Sequence, residues 1–374
     1  MIQPSGRRAF LRNAGAGVLA LGAAPWLAGC GGVVRDDLAD PSVARPRGVS
    51  TQEAEWLGLA ALAPSGHNAQ PWTVRIVQPG RWVIGSSRER WLPAVDPDNR
   101  ELLLSVGAFV ENLSLAVGTK GYRLQVAPLT DESHAADLLD VRLTPIEPVN
   151  YPLERMRQRC TVRAALPSRP LRAKDWEALR AHAPEQVFYY QVGSRQAELV
   201  RTATLEANRG QAARDDSVRE LAAWIRWRDT AARTLRNGLT PEAMGIHGLT
   251  GWYVRHFYTP ADVLTADFRR RTLERVTEQL DHNGGWIAVT STGPRLADVV
   301  AAGRVFERLA LEALALGIAV HPMSQALEES PWSEHMSDEL GLSEAVQFLL
   351  RVGYVEDYPR PMSLRMPLVR FVTV

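Results

Sequence analysis

Three side chains near the middle of the chain have the types and spacing to bind an anion. Arg159, Thr161 and Arg163 stand at alternate positions, so in an extended segment all three point to the same side. Two guanidinium groups and a hydroxyl are the donors that a buried phosphate dianion requires. Solvated surface arginines are the alternative interpretation, and the spacing alone leaves both open.

A second candidate region is the polar loop at residues 63–72, whose sequence is Ala-Pro-Ser-Gly-His-Asn-Ala-Gln-Pro-Trp. An apolar helical run precedes it, and a strand-like run at 73–77 follows. Pro and Gly favour a loop, while Ser, His, Asn and Gln offer hydrogen-bond donors and acceptors between two rigid elements. Composition alone supports an ordinary helix-to-strand turn equally well.

Alternating helical and extended patterns predict the elements that position these residues. One apolar stripe predicts a helix that Gly121 ends, and a second predicts a helix over 297–316 that Gly317 ends. The stripes consist of Leu103, Val106, Val110, Leu113 and Val117, and of Val299, Ala302, Phe306, Leu309 and Ala313. Strands are expected near 73–77, 82–84, 124–126, 140–143, 187–191, 286–290 and 348–353. The fold class predicted is α+β.

The two long helices share a pattern that indicates internal duplication. Both contain Gly-x-x-x-Glu-x-Leu-x-Leu, beginning at Gly107 and at Gly303. We therefore expect two tandem halves, at 51–147 and 148–374, with an insertion at about 195–260 in the second. The alternative is that two amphipathic helices merely look alike.

Composition excludes several classes of function. The 374 residues include 45% hydrophobic residues and have a formal net charge of +1, so no nucleic-acid partner is expected. The two cysteines are Cys30 and Cys160, and the eight histidines have no metal-ligand spacing. No metal site is predicted.

The N-terminus has the features of an export signal. Ser5-Gly6-Arg7-Arg8-Ala9-Phe10-Leu11 resembles a twin-arginine motif, and a short apolar region follows at 14–27. Leu27-Ala28-Gly29-Cys30 resembles a lipobox, so we expect residues 1–30 to be a signal segment and 31–50 a linker. This predicts a periplasmic or cell-envelope lipoprotein that meets the membrane only through a lipid on Cys30. A plain signal cleaved nearby is the alternative.

The polar loop resembles a family signature. Pro64-Ser65-x-x-Asn68-x-Gln70-Pro71-Trp72 is similar to the PSxxNxQPW motif of the FMN-dependent nitroreductases, and the 159–163 segment resembles their Arg-x-Ser-x-(Lys/Arg) motif. The resemblance implies a nitroreductase-like fold and FMN as cofactor. It also implies that Arg159 and Thr161 hold the phosphate, with Arg365 completing the clamp and Arg163 near the pyrimidine edge of the flavin.

The same resemblance implies further flavin contacts. They are Pro64, Ser65, Gly66, Asn68 and Gln70 from the loop, and Pro322, Met323 and Ser324 after the second long helix. No catalytic residue is assigned. For His67, a hydrogen-bonded loop residue is favoured over a proton donor.

The two motifs are divided between the halves. The first half keeps the loop and the second keeps the phosphate motif, whereas most members of the family are homodimers with two flavins. The chain therefore resembles a fused dimer of the Acg-type FMN-binding subgroup, a monomeric pseudo-dimer with one surviving site. The insertion at 195–260 is a candidate lid.

The resemblance implies an oxidoreductase that transfers a hydride or two electrons through flavin N5 to a small acceptor. Because an exported protein meets no pool of NAD(P)H, a membrane quinol or a redox partner is the expected donor. The main alternative is a flavin-sequestering protein with an occluded site that does not turn over. A third is an exported scaffold that has lost FMN.

Overall fold

The structure is a computed structural model that describes residues 40–41 and 44–374. Residues 35–374 form one compact unit. The predicted signal segment at 1–30, with Cys30, lies outside the described residues, as does most of the predicted linker. Export, lipidation and localisation therefore stay predictions.

The first half builds a five-stranded sheet beside two helices. The strands are β1 (Trp72–Gln78), β2 (Arg81–Ser86), β3 (Tyr122–Pro128), β4 (Asp137–Pro145) and the C-terminal β9 (Val372–Thr373), in the order β3-β4-β2-β1-β9. Helix α1 (Thr51–Ala60) begins at a capping box between Ser50 and Glu53. Helix α2 (Arg100–Gly118) runs through the core.

The second half repeats this plan. Its strands β5 (Val187–Gln191), β6 (Gly285–Thr290), β7 (Ile318–Pro322) and β8 (Val346–Tyr354) are ordered β5-β6-β8-β7. That order matches β1-β2-β4-β3, and helix α11 (Leu296–Ala315) follows β6 as α2 follows β2. The repeated topology confirms the prediction of an α+β fold with two tandem halves.

The two long helices cross at the glycines of the repeated pattern. A Cβ at Gly107 would lie 2.1 Å from the Val300 carbonyl oxygen, and one at Gly303 would lie 2.2 Å from that of Leu104. Only glycine permits this approach of two backbones. Although α2 is long and apolar enough to cross a membrane, most of it is buried inside the protein. It is a core helix at the centre of a pseudo-dimer.

The halves differ most between their first two strands. Residues 79–80 join β1 to β2, whereas residues 192–284 join β5 to β6. This longer segment contains α5 (Arg195–Ala213), α6 (Asp215–Trp224), α7 (Asp229–Leu235), α8 (Gly248–Phe257), α9 (Pro260–Val263) and α10 (Ala266–Asp281). It extends past the predicted end of the insertion at residue 260. Part of it has a small core of its own, in which Ile225, Trp227 and Val254 are buried.

Extended segments and short helices connect the halves. After β8 the chain crosses to the first half, where β9 pairs in parallel with β1. The remaining helices are α3 (Glu154–Gln158), α4 (Ala173–Arg180) and α12 (Trp332–Leu340). Because side chains of both halves share one hydrophobic core, the predicted boundary at residues 147/148 stays a prediction.

Candidate functional site

A cavity of about 960 Å³ lies where the two halves and the insertion meet. Its size is at the upper end of the range for small-molecule and cofactor sites. Eleven of the twelve residues predicted to contact a cofactor line it: Pro64, Ser65, Gly66, Asn68, Arg159, Thr161, Arg163, Pro322, Met323, Ser324 and Arg365. Their role in binding a cofactor stays a prediction, but the structure brings them to one cavity.

Two buried guanidinium groups join the two sequence motifs. Arg159 Nη2 and Arg365 Nη2 donate to the same carbonyl oxygen, that of Leu62, at 3.0 and 2.7 Å. Leu62 ends the apolar run before the polar loop, while Arg159 and Arg365 come from opposite ends of the second half. Each arginine is only 6% exposed. The structure thus places the loop and the predicted phosphate residues in contact.

A single carboxyl group faces these arginines from α11. Glu307 is fully buried, and its Oε1 lies 3.2 Å from Arg159 Nε. Burial raises the pKa of Glu307 to about 7, although Arg159 acts in the opposite direction. Burial lowers the pKa of Arg365 to about 9, and Arg159 lowers it further. The site therefore has an excess of positive charge, which an anionic ligand would neutralise.

The polar loop has an unusual backbone. His67, Asn68 and Gln70 have φ angles of 49°, 52° and 54°, in the left-handed region that residues other than glycine rarely adopt. The Ser65 hydroxyl accepts a hydrogen bond from the Gln70 N–H at 2.9 Å and closes the loop. Strained backbone of this kind persists where the surroundings hold it, commonly at functional sites.

Asn68 connects the loop to its surroundings. Its Nδ2 donates to the carbonyl oxygens of Gly238 and Leu364, both at 3.1 Å, and its Oδ1 accepts from Arg365 Nη1 at 3.1 Å. The amide therefore orients the Arg365 guanidinium and joins the loop to the insertion.

Gln70 is the one predicted contact that the cavity lining lacks. Its side chain is fully buried, with Nε2 donating to the Arg236 carbonyl at 3.0 Å and Oε1 accepting from the Met366 N–H at 2.8 Å. The left-handed backbone turns the side chain away from the cavity and towards the C-terminal segment. The structure therefore gives the Gln70 side chain a structural role, and the flavin contact expected of it stays a prediction.

The predicted phosphate segment is extended but its arginines diverge. Arg159 ends α3 with φ −64° and ψ 130°, and the Val162 N–H donates to the Val320 carbonyl at 3.3 Å. Arg163 is half-buried, and its Nη1 donates to the Ala243 carbonyl of the insertion at 2.9 Å. Arg159 thus contacts Leu62, the residue that precedes the polar loop, whereas Arg163 contacts the insertion.

Arg351, which sequence reasoning missed, holds this segment in place. It is fully buried within β8 and donates to the carbonyl oxygens of Gln279 and Ala164, both at 2.9 Å. Its Nη2 also lies 3.4 Å from His321 Nδ1. Burial, and then the nearby Arg163 and Arg351, lower the pKa of His321 well below its usual value, so that imidazole is neutral. A lone arginine inside an apolar strand was the only sequence signal.

His67, the histidine of the polar loop, lines the same cavity. Burial lowers its pKa, Glu101 opposes that shift, and Arg163 adds to it. The ring is therefore neutral at pH 7 and able to act as either a donor or an acceptor.

Two neighbouring carboxyl groups lie elsewhere on the cavity wall. The side chains of Glu101 and Glu328 are hydrogen-bonded to one another, and Gln211 Nε2 donates to Glu328 Oε2 at 2.5 Å. Burial, and then the charge of Glu101, raise the pKa of Glu328 well above its usual value.

The insertion supplies an apolar wall. Met323, opposite the loop, is fixed by its N–H donating to the Leu349 carbonyl at 2.8 Å, and Ser324 Oγ accepts from the Leu349 N–H at 3.2 Å. The apolar lining side chains from the insertion include Val218, Leu221, Ile225, Trp227, Leu239, Met244, Ile246, Val254, Tyr258, Phe268 and Val276. The cavity thus combines a cationic end with an apolar, partly aromatic wall.

Comparison with known proteins places this cavity in context. No protein-family model matches the chain. A Mycobacterium tuberculosis protein named "Putative NAD(P)H nitroreductase" is 28% identical over 328 residues, which are 84% of this chain and 89% of that protein. Another from the same organism, named "Putative NAD(P)H nitroreductase acg", is 23% identical over 83% of this chain and 92% of its own length. Over most of its length the chain is thus similar to proteins that are named as nitroreductases.

Solved structures with related names also align with this chain. A protein from Anabaena variabilis described as a "putative nitroreductase" aligns with 84% of this chain and 90% of its own, at 11% identity and a TM-score of 0.38. An FMN-dependent nitroreductase from Mycobacterium smegmatis, solved with NADPH, aligns with 56% of this chain and 92% of its own, at 18% identity and a TM-score of 0.33.

Proposed function

We propose that the chain is an FMN-binding oxidoreductase of the Acg-type nitroreductase subgroup, with one flavin site per chain. The observation that carries the proposal is the meeting of Arg159 and Arg365 at the Leu62 carbonyl, inside a cavity with excess positive charge. The names of the two mycobacterial relatives support it over most of the chain.

The residues at the cationic end fit a phosphate dianion. Arg365 Nε is a buried N–H donor without a hydrogen-bond acceptor among the residues that the structure describes, and Arg159 Nε has an ion pair with Glu307 at 3.2 Å but no well-aligned hydrogen bond there. Glu307 opposes two buried arginines with a single carboxyl group whose pKa is already raised. Buried donors without acceptors are costly, and a phosphate oxygen would satisfy them.

Each residue has a distinct role in this proposal. Arg159, Thr161 and Arg365 hold the phosphate, and Asn68 keeps Arg365 in place. Bound FMN supplies two-electron chemistry at N5. Arg163 places a fixed positive charge near the ring system, where it favours the reduced, more negative form and raises the potential. The apolar wall of the insertion excludes water and accepts a small electron acceptor.

The proposed electron donor follows from the predicted localisation. The names of the relatives include NAD(P)H, but the predicted export signal would take this chain away from that donor. We therefore propose a quinol or a redox partner as the source of electrons. Reduction of the purified flavoprotein by NADPH and by a soluble quinol, followed by absorbance, compares the two directly.

The first experiment is the spectrum of the purified chain. We expect a flavin absorbance band that disappears, or a flavin dissociation constant at least about tenfold weaker, in Arg159→Ala and in Arg365→Ala, because each removes a charged hydrogen-bond donor from the phosphate. Arg155→Ala is the matched control, since Arg155 lies on the same helix as the start of this segment but pairs with Glu312. Colourless wild-type protein with no affinity for FMN would contradict the proposal.

A flavin-sequestering protein is the second candidate function. The insertion contacts the site at several points, including Arg163 with the Ala243 carbonyl and Gln70 with the Arg236 carbonyl. A closed insertion would keep acceptors from the flavin. Stopped-flow reoxidation separates the two functions: the oxidoreductase passes electrons to quinones and nitroaromatic compounds, whereas a sequestering protein reoxidises only with oxygen.

A further inference from the structure

We propose that the outer face of α8, in the insertion, docks on the surface of a phospholipid bilayer. Four large apolar side chains on this face are exposed: Leu249 by 81%, Trp252 by 39%, Tyr253 by 47% and Phe257 by 57%. They stand at positions i, i+3, i+4 and i+8, so they share one side of the helix. A contiguous exposed patch of this kind indicates an interaction site.

The opposite side of α8 already has its partners within the fold. Gly251 and Val254 are buried, and Val254 belongs to the small core of the insertion with Ile225 and Trp227. The helix is therefore apolar on two sides, and packing inside the insertion explains only one of them. The outer side chains need a partner beyond the described residues of this chain.

The outer face has the composition of a membrane-interface element. The Trp252 ring lies 4.7 Å from that of His256, and the Tyr253 ring lies 4.9 Å from that of Phe257, between ring centroids. These contacts make a continuous aromatic surface. Trp and Tyr combine an apolar ring with one polar group, which suits the boundary between lipid headgroups and acyl chains.

The predicted anchor favours a bilayer over other partners. Arg236, in the insertion, donates through Nη2 to the Asp40 carbonyl at 2.9 Å, so the insertion holds the chain near the start of the described residues. Cys30, the predicted site of lipidation, is ten residues earlier. Ten extended residues reach at most about 35 Å. A lipid on Cys30 would therefore keep the insertion close to the membrane.

Charge points to the same partner. Of the five arginines in residues 224–258, which include α8, Arg228 and Arg233 are exposed, whereas Arg226 and Arg236 are buried and Arg255 pairs with Glu242. Anionic lipid headgroups attract such a segment. Docking would also bring the cavity near the bilayer, because Thr250 and Val254 of α8 line it. The inference does not depend on a bound flavin and is separate from the proposed function.

The experiment measures binding to lipid vesicles without the anchor. The protein begins at Gly31, which removes the signal and the acylated cysteine and retains the whole compact unit of residues 35–374. Flotation with vesicles of phosphatidylethanolamine and phosphatidylglycerol gives the partition coefficient. The combined variant Leu249→Ser, Trp252→Ser, Tyr253→Ser and Phe257→Ser should lower it by about tenfold or more, because the apolar area available to the interface is lost.

A matched control carries four exposed apolar substitutions away from α8: Val77→Ser, Leu129→Ser, Val149→Ser and Val369→Ser. Its partition coefficient should equal that of the unmodified protein. A second measurement does not need the fourfold variant to fold: brominated lipids should quench tryptophan fluorescence, and Trp252→Phe should bind vesicles but lose that quenching.

Three outcomes would overturn the proposal. One is an absence of vesicle binding by the unmodified protein. Another is an equal partition coefficient for the fourfold α8 variant and its control. The third is a concentration-dependent dimer, seen in sedimentation velocity, that the α8 variant abolishes while neither protein binds vesicles, which would assign the face to a second copy of this chain.

Discussion

The two halves bury the same glutamate but give it different arginine partners. Glu111 of α2 and Glu307 of α11 both stand four residues after the crossing glycine of their helix. Glu111 pairs with Arg304 at 3.0 Å and with Arg308 at 2.6 Å, and these arginines are 36% and 25% exposed. Glu307 is fully buried with Arg159, which is itself almost inaccessible.

The difference shows how one of the two equivalent glutamate positions can be made unavailable to a ligand. Near Glu111, the two arginines of α11 form ion pairs with the carboxyl group. One of them, Arg308, also lies over the Tyr151 ring, 5.5 Å from its centroid. Near Glu307, the cations come from connecting segments and face the cavity. The repeated helices α2 and α11 place the two glutamates equivalently. The non-repeated segments determine which of the two positions keeps hydrogen-bond donors available to a ligand.

The largest loss of stability is expected at the crossing of α2 and α11, on which the comparison of the two glutamates depends. Gly303→Ala places a Cβ 2.2 Å from the Leu104 carbonyl oxygen, and backbone cannot yield as a flexible side chain can. We expect a loss of about 3 kcal/mol or more in the free energy of unfolding. Urea denaturation followed by circular dichroism measures it.

Gly118→Ala is the matched control for the crossing. Gly118 is also a glycine of α2, but a Cβ there would meet only the Val149 side chain at 3.9 Å. Because alanine favours a helix over glycine, stability should be unchanged or slightly raised. Equal losses in the two variants would mean that the close approach of the helices does not determine stability here.

The repeated frame was predictable because its signals are local. Apolar residues at helical spacing predicted α2 and α11, and seven of the nine strands were predicted within a few residues of their observed ends, whereas β7 and β9 were missed. The Gly-x-x-x-Glu pattern also indicated the duplication. Each of these signals depends on neighbours along the chain, which periodicity reveals.

The details of the site depend on contacts between residues far apart in the sequence, so they were harder to predict from the sequence. The C-terminal segment crosses between halves, so Met366 meets Gln70, a contact that no local pattern indicates. The left-handed backbone at Gln70 also depends on tertiary surroundings. Glu307 appeared only as part of a helix pattern, although it is the carboxyl group beside Arg159. The sequence of the insertion showed charged residues and a mainly helical composition. It contained no recognised motif from which its fold could be predicted.

The next largest effect is a difference in unfolding free energy between variants that remove one arginine partner from each glutamate. Arg159→Ala leaves Glu307 buried without its nearest cation, which should cost about 3 kcal/mol of unfolding free energy in the flavin-free protein. Arg304→Ala removes one of two half-exposed partners of Glu111, and we expect a cost of about 1 kcal/mol or less. Urea denaturation of both variants at pH 7 tests the difference. Similar costs would mean that Arg308, the second partner of Glu111, does not compensate for the loss of Arg304.

The smallest effect is a pH dependence specific to Glu307. Its pKa is about 7 in the folded chain, against an ordinary value of 4.5, so folding binds a proton between these pH values. Stability due to this group should therefore fall as the pH rises from 5 to 7, by about 1–2 kcal/mol. Glu307→Gln should flatten this slope in urea denaturation of the flavin-free protein, whereas Glu111→Gln retains Glu307 and should keep it. A slope unchanged by Glu307→Gln would assign the proton to another carboxyl, with Glu328 the first to test because burial also raises its pKa.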